Sequence, residues 1–392
     1  MGAKGLLPLV GLVASVFIFN MSEFMPVGLL TEIAEDMSVT ESQSGLIVSF
    51  YAWAVALLSL PLMLLFKNVQ HRRLMLLMVG IFTLFQALSA IAPSYWFLVG
   101  ARIGVAVAHS VFWAIVTPMA VECVEPGRGR TALAAVAAGS SMSLILGLPL
   151  GRIIGLALGW RMTFATIAAM GLITLIVLAA VLPRIENPGT LTLRRVPEML
   201  KSRLLLGTYA LVALYVTGNY MGFSYIEPFL SQVSGMSEGM ITLIMTVYGL
   251  AGFIGGFLFA RYYEKGWKAF MLLALLLVSG ALLLMLPLSE IWVAVIVLFV
   301  MWGIGATLFC TIFQNEIIRN TVNDGVTVAV ALFSGIFNAG IAMGSMFGGM
   351  VIDDIGIGYI GLIGGSIILL GLVEMVLVVI PCVSRARKLS GQ

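Results

Sequence analysis

The sequence consists of long apolar runs separated by short polar or charged segments. A helix needs about 20 mostly apolar residues to cross a bilayer, which with a loop comes to roughly 30–35 residues per crossing. The 392 residues therefore accommodate about twelve crossings. Only 10% of the residues are charged, against about 25% in soluble domains. The sequence predicts an all-α membrane protein embedded in the lipid bilayer.

Apolar runs and the turn residues between them predict the positions of these helices. The twelve predicted transmembrane helices are 6–30, 44–66, 74–92, 95–121, 131–155, 160–182, 204–230, 239–262, 269–287, 290–313, 326–350 and 357–381. The first run shows no small-residue cleavage pattern before Glu23, so we expect a retained helix and not a signal peptide.

Lysine and arginine are distributed unequally between the two predicted sides. If the amino terminus is cytoplasmic, every basic residue except Arg102, Arg152 and Arg161 lies at a cytoplasmic segment, while the first outer loop is acidic. This arrangement follows the positive-inside rule and predicts that both termini are cytoplasmic. The positive charges lie in short clusters between apolar runs, which argues against binding to nucleic acid.

The longest polar interruption, residues 183–203, divides the chain into two predicted six-helix bundles, 1–182 and 204–392. The fifth and eleventh helices share three identically spaced residues, which are Ala134, Gly147 and Gly151 in one and Ala331, Gly344 and Gly348 in the other. We therefore expect two pseudo-symmetric halves joined by a cytoplasmic linker.

Glu23, Arg102 and His109 are ionisable residues that fall inside predicted membrane helices of the first half. Glu23 lies on the first helix, where an ionised side chain at the bilayer centre costs on the order of 2.5–3.5 kcal/mol by insertion scales. Arg102 and His109 lie seven residues apart on the fourth helix and so share a face. Pairing Glu23 with Arg102 would reduce the cost of burying both charges. A permanent salt bridge and an exchangeable, proton-binding group both remain open, as do an interfacial position for Glu23 and a packing role for His109.

The second half carries polar stripes. Tyr220, Ser224 and Glu227 repeat at helical spacing on the seventh helix, and Ser334 and Asn338 do so on the eleventh. Such stripes are typical of helices that face a cavity, of helices that hydrogen-bond to each other or, for Glu227, of an interfacial position. The candidate substrate-binding residues between the halves are Asn20, Tyr51, Trp53, Trp113, Tyr220, Ser224, Tyr225, Glu227 and Asn338.

Glycine and proline mark the fifth and eleventh helices. Gly147, Pro149, Gly151, Gly344 and Gly348 permit close approach of the backbone, either at an interface on which the halves rock or in static packing. The sequence has no phosphate-binding loop, no nucleophile–base–acid set and no metal-binding cluster. We therefore expect no enzymatic activity, no cofactor and no metal, and an ion or substrate gradient as the energy source.

Short motifs are distributed along nearly the whole chain, at Ser22–Leu30, Tyr51–Trp53, Arg102–His109, Gly147–Arg152, Gly159–Phe164, Tyr225–Phe229 and Ala331–Asn338. Together these motifs resemble the major facilitator superfamily, and more narrowly its drug/proton antiporter branch, which includes bacterial sugar efflux transporters. Two motifs depart from the family pattern. The loop that ends in the gating candidates Arg72 and Arg73 has Asn68 and Val69 where an Asp-Arg pair is common, and the fifth-helix antiporter motif is incomplete.

The resemblance implies the major facilitator fold, alternating access around a midplane site, a location in the bacterial inner membrane and a role for Arg102 in proton coupling. It implies proton-driven export of sugars such as arabinose or thiogalactosides. The alternatives are a multidrug/proton antiporter, an uptake symporter or facilitator and, more remotely, a sensor that transports nothing. We expect a monomer whose ligands are the small-molecule substrate and the proton.

Overall fold

The computed structural model describes residues 3–66, 68–125, 127–183, 201–321 and 325–389. Within these ranges the regular structure is entirely helical, and twelve helices are long and apolar enough to cross a membrane. The predicted fold class is therefore confirmed. Most of the predicted linker falls on residues 184–200, outside the described part of the chain.

The twelve helices are numbered here in chain order. The first six are α1 (Ala3–Phe24), α2 (Glu41–Leu65), α3 (His71–Ala90), α4 (Tyr95–Glu122), α5 (Gly129–Leu158) and α6 (Trp160–Val181). The second six are α7 (Arg203–Phe223), α8 (Glu238–Tyr262), α9 (Trp267–Met285), α10 (Trp292–Arg319), α11 (Val326–Asp354) and α12 (Ile360–Glu374). Helix α12 continues through a π turn, Met375–Val379, into the helix Ile380–Leu389.

Side-chain caps fix the starts of several helices. Thr40 caps α2 with a capping box, in which its hydroxyl accepts from the Gln43 backbone N–H at 3.1 Å and the Gln43 side chain accepts from the Thr40 N–H at 3.0 Å. Ser94 and Ser202 cap α4 and α7 with their hydroxyls alone, which accept from the backbone N–H groups of Phe97 and Leu205. These caps satisfy backbone donors that the first helical turn leaves without a partner.

Two predicted helices are shorter than the apolar runs that contain them. The first was predicted to reach residue 30 but ends at Phe24, followed by a 3₁₀ turn, Met25–Leu29, and a short helix, Leu30–Met37. The seventh was predicted to reach residue 230 but ends at Phe223. Proline explains both differences, because Pro26 and Pro228 interrupt the helical hydrogen bonding.

The chain divides into two compact units, Met1–Thr190 and Leu191–Gln392. In the first unit α1 packs on α5, α2 on α4, and α3 on both α4 and α6. In the second unit α7 packs on α11, α8 on α10, and α9 on both α10 and α12. The two units thus repeat the same helix pairings in the same order, as expected for an internal repeat.

The predicted glycines lie at helix contacts inside each unit. A Cβ atom on Gly147 would lie 3.2 Å from Met21 Cα of α1, and one on Gly348 would lie 2.9 Å from the Met221 carbonyl oxygen of α7. Gly344 faces α7 in the same way, Gly151 faces Met25 in the 3₁₀ turn after α1, and Pro149 lies inside α5. Close packing, one of the two interpretations left open by the sequence, accounts for these contacts.

Candidate functional site

The site in the first unit is built around the break in α1. Pro26 has no backbone N–H, so the carbonyl oxygen of Ser22, four residues earlier, lacks its helical donor. Arg102 of α4 takes that place, donating from Nη2 to the Ser22 carbonyl at 2.8 Å and from Nη1 to Ser22 Oγ at 3.0 Å. The arginine is only 1% exposed, and its guanidinium lies 4.6 Å from the centroid of the Tyr51 ring.

This arrangement differs from the expected pairing of Glu23 with Arg102. The hydrogen bonds of Arg102 go to Ser22, because the proline leaves an acceptor there that has no other donor in the helix. The Glu23 carboxylate instead lies against His109, with 3.6 Å between Oε2 and Nε2. Both side chains are largely buried, at 13% and 3% exposure.

His109 is held by two further hydrogen bonds. Its Nδ1 lies 2.7 Å from the Tyr51 hydroxyl, and its Nε2 lies 2.7 Å from Nε1 of Trp113, one turn further along α4. An indole nitrogen can only donate, so Nε2 is the acceptor in this bond. The neutral ring then carries its proton on Nδ1 and donates it to Tyr51. Tyr51 thus touches both His109 and Arg102, which confirms that these two residues share a face of α4.

We refer to Glu23, Tyr51, Arg102, His109 and Trp113 as the α4 cluster. Aromatic side chains lie next to this cluster, where Phe19 of α1 stacks on both Phe82 and Phe112 with ring centroids about 4 Å apart. The two remaining candidates in this unit lie close by in sequence. Asn20 is buried one turn before Glu23, whereas Trp53 is half-buried and points away from Tyr51, since residues two apart on a helix face different ways.

The candidates in the second unit lie on α7, on the segment after it and on α11. Tyr220, Ser224, Tyr225, Glu227 and Asn338 are all buried, and Glu227 is 1% exposed. The Tyr225 hydroxyl donates to the carbonyl oxygen of Ser345 at 2.8 Å, which ties the end of α7 to α11. Hydrogen bonding between helices therefore accounts for Tyr225, while the buried carboxyl group of Glu227 is placed inside the unit and not at its surface.

The remaining predicted residues connect helices near their ends. Arg72 donates from Nη2 to the carbonyl oxygen of Ala179 at 2.7 Å and so joins α3 to the end of α6. Arg73 is exposed. Over the described ranges, no group of three or more His, Cys, Asp or Glu side chains could hold a metal ion.

An ionic cluster in the second unit was not predicted from the sequence. Arg387, in the last helix, donates to Glu316 of α10 at 2.7 Å and to Glu264 at 3.1 Å. Glu264 also pairs with Arg319 at 2.9 Å, and Glu316 accepts from the Tyr263 hydroxyl at 2.8 Å. These bonds explain why α10 extends six residues beyond its predicted end, to Arg319. The spacing of Glu316 and Arg319 within one turn was the available signal, but their partners are remote in sequence.

Comparisons with known proteins agree with this architecture. The Major Facilitator Superfamily model matches residues 12–315 and 208–392. A probable sugar efflux transporter of Helicobacter acinonychis (strain Sheeba) is 42% identical over 359 residues, which are 91% of each chain. A probable sugar efflux transporter of Pasteurella multocida (strain Pm70) is 39% identical over 92% of this chain and 89% of its own.

A solved structure shows the same fold at low sequence identity. The nucleoside transporter NupG superposes with a TM-score of 0.79 at 12% identity, covering 94% of this chain and 99% of its own. The family model and the relatives confirm the resemblance seen in the motifs and identify a multi-pass membrane transporter, not an enzyme. The chain therefore belongs to the Major Facilitator Superfamily.

Proposed function

We propose that this protein is a proton-coupled exporter of sugars, such as arabinose or thiogalactosides, that works by alternating access. The observation that carries the proposal is the contact between Glu23 and His109, at 3.6 Å inside a membrane-spanning bundle. Ionisable groups are rare at that depth and generally mark ion or proton pathways. The sugar assignment is supported by the two relatives, which are named probable sugar efflux transporters.

The α4 cluster contains what proton coupling requires. Glu23 and His109 are neighbours, 3.6 Å apart, and each can be neutral or charged. Arg102 supplies a permanent positive charge beside them and donates one hydrogen bond from each Nη atom to Ser22. Because the group is buried, a change of one charge within it alters the stability of the surrounding bundle far more than a change at the surface would.

The same cluster offers aromatic surface to a substrate. Trp113 is half-buried, so part of its ring is accessible to a ligand, whereas Tyr51 is buried and bonds to His109. Rings of this kind can stack on the apolar face of a sugar and also on a lipophilic drug. Asn20, Tyr220 and Asn338 are further candidate donors and acceptors for substrate hydroxyl groups.

The proposal includes an orientation. Nearly all lysine and arginine residues lie on the predicted side that also holds both termini, which supports an orientation with both termini in the cytoplasm. The bacterial relatives support a location in a bacterial inner membrane. We further propose that the protein works as a monomer. Export then means that substrate leaves the cytoplasm while protons enter it.

Inverted membrane vesicles energised with a proton gradient test the assignment. Arabinose, a thiogalactoside and a lipophilic cation are added in turn to vesicles containing wild type, Glu23→Gln or the matched control Glu374→Gln. The control neutralises another carboxyl group within an apolar helix, but in the second unit. We expect substrate-induced proton release from wild type and the control, and its loss in Glu23→Gln.

Each contrary result would contradict a specific part of the proposal. An equal response of wild type and Glu23→Gln would place proton coupling elsewhere. A response to the lipophilic cation alone would favour multidrug antiport, and substrate movement with the protons would indicate uptake. No response to any compound would contradict the export assignment.

A further inference from the structure

Trp113 and Glu23 approach the same nitrogen of His109. The indole Nε1 lies 2.7 Å from Nε2, and the carboxylate Oε2 lies 3.6 Å from it. We propose that proton uptake by the Glu23–His109 pair releases Trp113 from His109, so that Trp113 couples the proton to the substrate site. The inference rests on the proposed function and assigns the residue that transmits the protonation state.

Nε2 can hydrogen-bond to only one of these two partners at a time, because of the chemistry of the ring. Nε2 has a single site in the ring plane, which holds either one lone pair or one hydrogen. When the lone pair accepts the indole N–H of Trp113, it is unavailable to any other donor. The 2.7 Å and 3.6 Å distances describe the state in which Trp113 holds the site and Glu23 stands next to it without a hydrogen bond.

The hydrogen bond to Tyr51 opposes rotation of the imidazole ring away from these partners. Its hydroxyl lies 2.7 Å from Nδ1, on the opposite side of the ring. Rotating the ring by half a turn would break that bond as well as the bond to Trp113. The two ring nitrogens therefore keep their separate partners, and a proton that arrives from Glu23 reaches Nε2.

The step balances as a single proton transfer. A proton bound at Glu23 Oε2 passes to the lone pair of His109 Nε2, so that the O–H bond breaks and an N–H bond forms. Glu23 becomes a carboxylate, His109 becomes an imidazolium and the hydrogen bond from Trp113 is lost, because an N–H cannot accept. If the proton stays on Glu23 and is donated to Nε2, the lone pair is occupied all the same. Both locations of the proton displace the indole.

The charged and titratable groups around His109 come from three helices. Glu23 faces it from α1, Tyr51 from α2 and Arg102 from its own helix, α4. Gln86 of α3, which packs beside α4, bonds to Ser22 and carries no charge. Of these groups, Glu23 is the one whose oxygen approaches Nε2, at 3.6 Å, and a small approach to hydrogen-bond distance lets it exchange a proton with that nitrogen.

The release of Trp113 determines the sign of the coupling between proton binding and substrate binding. While the pair is deprotonated, the bond to His109 fixes the half-buried indole ring and presents an ordered surface to a sugar or drug. Proton uptake removes that constraint, so an incoming ligand must order the ring itself. Proton binding then weakens substrate binding, and by linkage substrate binding expels the proton, as an exporter requires.

Indole ¹⁵N–¹H NMR of the labelled protein in nanodiscs tests the inference without a transport assay. We expect the Trp113 resonance, assigned by its absence in Trp113→Phe, to move through one transition as the pH falls. Trp302 is an internal control, because its indole donates at the same 2.7 Å distance to Asn219 Oδ1, an acceptor that does not titrate. His109→Gln should abolish the Trp113 transition, and Glu23→Gln should change the pH at which it occurs.

Substrate binding provides the second readout. Wild type should bind substrate about fivefold more weakly on the acidic side of the transition, an effect comparable to one hydrogen bond, and Trp113→Phe should lose this pH dependence. A Trp113 resonance that stays still while wild-type vesicles release protons would overturn the inference and leave the proposed function standing. A normal Trp113 transition without transport would leave the switch standing and contradict the proposed function. The Trp113 transition itself is recorded on wild type, and the variants serve to assign the resonance and to trace the transition to His109 and Glu23.

Discussion

The contact between Arg102 and Ser22 leads to a prediction about Arg102 and Pro26, which both affect the bonding of the Ser22 carbonyl. Arg102 donates to the Ser22 carbonyl at 2.8 Å only because Pro26 cannot. Replacing Arg102 by Met leaves this buried oxygen without a donor. In the double variant, Arg102→Met with Pro26→Ala, the new backbone N–H of residue 26 can bond to the same oxygen. We therefore expect Pro26→Ala to offset part of the damage caused by Arg102→Met.

The size of this coupling follows from the group that is rescued. A buried carbonyl left without a partner costs about 1–3 kcal/mol, and the double variant restores one such bond. In the wild-type background, Pro26→Ala adds an N–H to an oxygen that Arg102 already occupies, so the same substitution gains less there. The expected interaction energy is about 1–2 kcal/mol in favour of the double variant. This is well above the deviation from additivity of about 0.3–0.5 kcal/mol that independent sites show.

A double-mutant cycle measures the coupling directly. The four proteins are unfolded in detergent micelles and followed by circular dichroism, which isolates the pairwise contribution from the separate effect of removing a buried cation. In the matched control cycle, Pro149→Ala takes the place of Pro26→Ala. Pro149 lies inside α5, and the bond that it cannot make is to the Ile145 carbonyl. Additive effects in both cycles would refute the reasoning about Ser22.

Two further predictions concern stability and are checked by the same unfolding measurement. Gly344→Ala should destabilise the protein by about 1–3 kcal/mol, because its Cβ would press into a backbone carbonyl of α7. Gly335→Ala, on the same helix but with no atom within 4 Å, should be neutral or stabilising by up to about 1 kcal/mol, and equal effects would contradict the packing. Arg387→Ala should cost about 3–5 kcal/mol, because it deprives the fully buried Glu316 of its cation. Arg319→Ala should cost less than about 1 kcal/mol, since its carboxylate partner is 63% exposed, and the reverse order would be inconsistent with this cluster.

The helices were predictable because their signal is local. A run of about 20 apolar residues must bury its backbone hydrogen bonds within itself in a bilayer, whatever the rest of the chain does. Helical periodicity likewise placed Arg102 and His109 on one face. Two of the errors lie at Phe24 and Phe223, where the helices end although the apolar runs continue, because the prolines override apolar composition.

The members of the candidate site were predictable to a similar degree. Glu23, Arg102 and His109 stood out because charged and titratable side chains are costly in an apolar helix. Tyr51 and Trp113 were selected only as aromatic candidates for substrate binding. Their hydrogen bonds to the two nitrogens of His109 had no signal in the sequence beyond the four-residue spacing of Trp113.

The sequence by itself determined that this protein crosses the membrane many times, that its two halves repeat and that a few titratable groups lie within it. The tertiary structure decided which of these groups meet. Arg102 bonds to Ser22 and Glu23 lies against His109, although opposite charges alone would have paired the arginine with the carboxylate. The reason is that periodicity fixes only the face on which a side chain lies. Its partner depends on the distances between helices and on which backbone groups a distant proline has left unsatisfied.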